Sequence, residues 1–114
     1  MRRVLLAAAL AVLAGSAQAE SELSDVGCGE EPRLRSVDSA TATEVIFFNQ
    51  SGAVIRTYWL DFQGQRKFRA EIPPGGSFVQ QTYVNHPWLI TNTATKNCVG
   101  IFQPMPAASI VVIQ

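Results

Sequence analysis

Thr43-Glu44-Val45-Ile46-Phe47-Phe48-Asn49 is a run of β-branched and aromatic residues too short to build a stable amphipathic helix. It is followed by Gln50-Ser51-Gly52, and the pattern then repeats: short apolar runs at Ala53 to Leu60, Arg66 to Ile72, Ser77 to Tyr83, Trp88 to Thr91, Asn97 to Phe102 and Ser109 to Ile113, each bounded by turn residues. Seven strands of this length predict an all-β fold, a seven-stranded antiparallel β-sandwich. The separators have physical reasons to turn. Glycine in Gln50-Ser51-Gly52 and Gln63-Gly64-Gln65 tolerates positive φ, and Pro73-Pro74-Gly75-Gly76 cannot continue a hydrogen-bonded ladder, so hairpin connections are expected. Val45-Ile46-Phe47-Phe48 is apolar on both sides of its pleat, which predicts a strand covered on both faces.

Upstream of Thr43 the chain changes character. Arg2-Arg3 precede the apolar run Val4 to Ala14, and Ala17-Gln18-Ala19 supplies a small-x-small cleavage pattern, so residues 1–19 read as a secretory signal peptide. The run is well short of the roughly 20 residues that cross a bilayer, so no membrane association is expected after cleavage. Residues 20–42 are polar and irregular and read as an N-terminal arm, with the β-sandwich domain over residues 43–114. Removing residues 1–19 takes away Arg2 and Arg3, leaving seven basic residues against nine acidic ones, a formal charge of −2. Such a domain lacks the field that draws proteins onto phosphate backbones, and nucleic acid is not an expected partner.

Export to the periplasm or the extracellular space changes the reading of the two cysteines. In an oxidising compartment an even count favours a Cys28–Cys98 disulfide. No C-x-x-C pair is present, and two cysteines with one histidine fall short of the about four ligands of a zinc site, so no metal and no cofactor is expected. The basic cluster Arg66-Lys67-Phe68-Arg69 lies in a strand, whose alternation would put Lys67, Arg69 and Glu71 on one face and Arg66 with Phe68 on the other, dividing the charge. Gln103-Pro104-Met105-Pro106 reads as a linker between two strands.

Several motifs keep a mutual spacing that resembles a known family: Arg33-Leu34-Arg35-Ser36-Val37, Val45-Ile46-Phe47-x-Asn49-x-Ser51, Trp59-Leu60-x-Phe62-x-Gly64, Pro73-Pro74-Gly75 and Tyr83-x-x-His86-x-Trp88-Leu89. Together they resemble the β domain of the von Hippel-Lindau tumour suppressor, ungapped from about Arg33 to Leu89 and more loosely to Phe102. The resemblance implies a seven-stranded sandwich that binds a protein or an extended peptide through a hydroxylated proline held among aromatic side chains. Trp59 and Trp88 match the family's aromatic walls and His86 its histidine. Thr82 stands where the family has serine, and Tyr83 matches a tyrosine. Arg69 occupies the position of a tyrosine that lines the family pocket, Gln81 replaces a histidine, and Asp38 replaces an asparagine on the peptide path. The family's helical, elongin-binding domain has no counterpart in the residues after Phe102, so no elongin or ubiquitin-ligase partner is expected.

Without the resemblance, Trp59, Thr82, His86 and Trp88 have two readings. They form an amphipathic rim suited to stacking and hydrogen-bonding a proline or a sugar ring, or the tryptophans are core residues and His86 a turn residue before Pro87. The corresponding functions are an exported protein-interaction module that binds proline- or hydroxyproline-containing peptides, and a structural, disulfide-stapled domain with no small-ligand pocket. Catalysis is not expected. One histidine, no glycine-rich loop opening a helix and no visibly paired acids leave no recognisable catalytic set.

The cleavage pattern predicts a mature chain that begins at Glu20. Intact mass of the protein from an extracytoplasmic fraction should lack residues 1–19, and a dominant species retaining Met1 would contradict export.

Overall fold

In the computed structural model, which describes residues 21–114, alternation along the strand Ala42–Asn49 puts Val45, Phe47 and Asn49 inside. The expected signal peptide, residues 1–19, lies outside the described residues. In chain order the elements are β1 Ser21–Glu22, a 3-10 helix Cys28–Arg33, β2 Ala42–Asn49, β3 Ile55–Leu60, β4 Arg66–Ile72, β5 Ser77–Tyr83, β6 Trp88–Asn92, β7 Cys98–Phe102 and β8 Ser109–Ile113. They form two four-stranded sheets, ordered β1-β8-β2-β5 and β4-β3-β6-β7. The inner faces meet in a core of Val45, Phe47, Ile55, Ile72, Trp88, Ile90, Phe102, Val111 and Ile113.

All seven expected strands are present, and the all-β sandwich holds, with three corrections. There are eight strands, because Ser21–Glu22 in the arm pairs with β8. A two-residue strand made of Ser and Glu carries no hydrophobic signal. The sandwich is also not purely antiparallel, since β8 runs parallel to both β1 and β2. The last connection crosses between sheets through Gln103-Pro104-Met105-Pro106, which frees β8 from the hairpin direction. Third, only the β3–β4 and β6–β7 connections are hairpins within one sheet. Gln50-Ser51-Gly52 and Pro73-Pro74-Gly75-Gly76 carry the chain from one sheet to the other.

Those two crossings share one buried side chain. Asn49 is fully buried, and its amide donates to the carbonyls of Ala53 (2.7 Å) and Ile72 (2.9 Å) while its oxygen accepts from the Ser51 amide and hydroxyl. Its backbone bonds Gly75 and Gly76, with Gly75 at φ 81°. Every polar atom of the amide side chain is thus paired, the condition for burying it cheaply.

The outer faces of the two sheets differ. On the first, Ile46 is half-buried, its β5 partner Val79 is 51% exposed and Phe48 is 38% exposed. The expectation that Val45 to Phe48 is covered on both faces is therefore wrong: the inner face alone meets the opposing sheet. On the second sheet a smaller core of Leu60, Leu89 and Ile101 is covered by Leu34 and Cys98. This is the work of the arm. Cys28 is bonded to Cys98, and Glu31 accepts a two-bond fork from Arg66 at 2.8 Å each. The hydrogen bond from Arg66 holds the Glu31 carboxyl below its usual range, against a smaller upward push from burial. Its stabilising share is present above the unfolded carboxyl's titration range and is lost as pH falls through the lowered one.

The disulfide closes a loop of 70 residues, which corresponds to about 4 kcal/mol in the chain-entropy view. The Cys28→Ser, Cys98→Ser double variant should melt several degrees or more below the native protein, because about 4 kcal/mol is large beside the stability of a small domain. An unchanged melting temperature would show that the arm is held by other contacts.

Candidate functional site

The edge strands β4 and β5 belong to different sheets, and the side chains between them form a shallow concavity of about 250 Å³. Trp59 and Trp88 are directly opposite one another on β3 and β6, so both rings face the same side of their sheet. Their surroundings then diverge. Trp88 lies toward the sandwich interior, is 2% exposed and packs on Phe47 with ring centroids 6.2 Å apart. Trp59, one position from the strand end, is only half-buried.

Each indole N–H is satisfied. Trp88 Nε1 donates to Thr82 Oγ1 at 2.9 Å, joining β6 of one sheet to β5 of the other at the floor of the concavity. Trp59 Nε1 donates to Ser36 Oγ at 2.7 Å, and Ser36 in turn donates to the Leu60 carbonyl. The arm therefore fixes the tilt of Trp59 as well as covering the second core.

Around Trp59 stand three further rings. Phe62 is 5.6 Å away edge-on, His86 is 5.7 Å away at 32°, and Tyr83 packs against His86 at 5.4 Å. Phe62 is held by its hairpin: Asp61 Oδ1 accepts from the amides of Gln63 and Gln65 at 2.9 and 2.8 Å, and Gly64 takes φ 79°. Burial works to raise the Asp61 carboxyl, but the backbone N–H groups of Gln65 and Gln63, with Lys67 beside it, outweigh that and hold it low. His86 is placed by a turn in which Asn85 adopts φ 70°. Phe62 and Tyr83 remain 41% and 44% exposed, so the cluster is a surface and not a core.

Arg69 arrives there through a register irregularity. The β3–β4 pairing runs Thr57 to Ala70 and then Tyr58 to Phe68, so Arg69 is an extra residue on β4. Bulges re-aim side chains. Arg69 Cζ lies 5.4 Å from the Trp59 ring centroid, at the concavity. The bulge also overturns the expected alternation: Phe68 and Glu71 pair with Tyr58 and Arg56 on one face, while Lys67 pairs with Trp59 on the other. The expected division of charge does hold. Arg66 engages Glu31 and Lys67 lies 3.8 Å from Asp61, separate partners for neighbouring cations.

The structure thus brings Trp59, Arg69, Thr82, Tyr83, His86 and Trp88 to one concavity, with Thr82 and Trp88 as its buried floor. Sequence reasoning missed Phe62 as a lining residue and Ser36 as the anchor of Trp59. A large aromatic beside a Gly-containing turn, where no core is available to fill, was a signal for Phe62; Ser36 offers none. Larger clefts among the described residues, of about 590, 580, 330 and 260 Å³, gather no more than one aromatic ring each. No group of three or more potential metal ligands occurs among the described residues.

The chain is an all-β, two-sheet sandwich with an aromatic surface between its edge strands. More narrowly, the family model of the VHL beta domain matches residues 34–104, most of both sheets and every residue lining the concavity, and the chain belongs to that family. That β domain is a protein-interaction module.

Burial of the Trp88 N–H makes Thr82 a sensitive probe. Thr82→Val keeps the shape and removes the acceptor, and should lower stability in urea by about 1–3 kcal/mol. Thr82→Ser, which keeps the hydroxyl and loses one methyl, should cost under about 1 kcal/mol. Equal losses would mean that the hydrogen bond contributes nothing of its own.

Proposed function

We propose that this domain is an exported protein-interaction module that binds an extended peptide containing proline or hydroxyproline in the concavity between β4 and β5. The observation that carries this reading is the gathering of Trp59, Phe62, Tyr83 and His86, with ring centroids 5.4–5.7 Å apart, on an exposed surface. Aromatic faces suit the compact, weakly polar ring of proline, whose C–H groups pack against them, and rigid aromatic anchors lose little side-chain freedom on binding. β4 and β5 each pair on one side only among the described residues, so an extended peptide has a ladder of backbone groups beside the pocket. Thr82 Oγ1 already accepts from Trp88, which leaves its own hydrogen to offer to a ligand hydroxyl. Export is supported by the cleavage pattern in residues 1–19 and by the Cys28–Cys98 disulfide, which persists in oxidising compartments.

Calorimetry on the mature protein with one host peptide carrying proline, hydroxyproline or alanine at its centre tests this reading. Proline and hydroxyproline peptides should bind and the alanine peptide should not. Trp59→Ala should weaken binding by about 2 kcal/mol, roughly thirtyfold, with the fold retained by circular dichroism. Failure of every peptide to bind folded protein would leave the structural, disulfide-stapled domain as the better reading.

A further inference from the structure

Arg69 is a cation without an anion. Among the described residues its side chain enters no ion pair. Its one hydrogen bond there is a long contact of 3.4 Å from Nη1 to the Phe68 carbonyl. Its neighbours on the same strands are paired: Arg56 with Glu71, Arg66 with Glu31, and Lys67 with Asp61. No aspartate or glutamate lines the concavity, whose surface is mostly aromatic, and the nearby Gln81 amide is already given to Glu44. The bulge at Arg69 and its contact with the Trp59 ring place this charge at an apolar pocket.

From these observations we infer that the pocket selects a chain-terminal proline, with the pyrrolidine ring among the aromatic side chains and the free α-carboxylate on the Arg69 guanidinium. The inference rests on the peptide-binding reading above and narrows it from any proline to one that ends its chain. In a terminal proline the carboxylate is attached to the ring itself, so ring and anion arrive together at the wall of the pocket where Arg69 lies against Trp59. An internal proline presents only a neutral carbonyl there. The guanidinium, held against an indole, keeps planar N–H donors for a planar carboxylate, and such charge-assisted pairs are markedly stronger than bonds to a neutral carbonyl.

The test uses three peptides of one host sequence: proline-terminated as the free acid, the same chain as the C-terminal amide, and a version extended beyond the proline. Each is titrated by calorimetry into the mature protein and into Arg69→Gln, a substitution at an exposed position. The free acid should bind native protein about tenfold more tightly than the amide, and the difference should vanish in Arg69→Gln. Equal affinities of acid and amide for the native protein would overturn the carboxylate selectivity while leaving peptide binding intact. An acid preference undiminished in Arg69→Gln would remove Arg69 from the role. If none of the three binds either protein, the peptide-binding reading fails and the terminal-proline selectivity fails with it.

Discussion

An indole N–H removed from water is costly without an acceptor, and both tryptophans of this domain have one. Trp88 reaches across the sandwich to Thr82, so the bond that satisfies the indole also joins β6 to β5. Trp59 reaches out to Ser36 in the arm. The first bond makes a floor and the second tilts a wall. The cavity between the edge strands follows from these two acceptors lying in different layers: one tryptophan is drawn into the core and its cross-strand neighbour is drawn toward the surface. The hairpin carrying Phe62 and the turn carrying His86 then close around the exposed ring.

The arm has more structural work than its composition suggests. Its disulfide, the Glu31–Arg66 fork and Ser36 all act on the second sheet, covering Leu60, Leu89 and Ile101 and orienting Trp59. The first sheet has no such cover among the described residues, and Phe48 and Val79 stay exposed on its outer face. Stability of the arm and geometry of the pocket are therefore coupled through a single serine hydroxyl.

Much of this was legible in the order of residues. β-branched runs between Gly and Pro turns identified seven strands, and the family resemblance, not the residues alone, implied that Trp59, Thr82, His86 and Trp88 share one site. What stayed hidden depends on partners far apart in the chain. Ser21–Glu22 becomes a strand only because β8 offers an edge. The direction of β8 is set by a sheet crossing and carries no local pattern. Ile46 and Phe48 look like core residues because apolar character does not reveal whether a second layer exists to cover them. The bulge that delivers Arg69 is likewise invisible in Arg66-Lys67-Phe68-Arg69, where simple alternation gives the wrong face for Glu71. Trp88 belongs to the core, while Trp59 packs against that core and stays half-buried at the concavity.

The central claim is that the aromatic concavity between β4 and β5 is where this domain meets its partner. The most direct measurement is a nuclear magnetic resonance titration of ¹⁵N-labelled residues 20–114 with a proline-containing peptide, following backbone amides and the two indole N–H signals. The account predicts shifts concentrated at Trp59, Phe62, Arg69, Tyr83 and His86, with a smaller change at the buried Trp88 indole. Shifts concentrated instead at Ile46, Phe48 and Val79, on the open outer face of the first sheet, would contradict it.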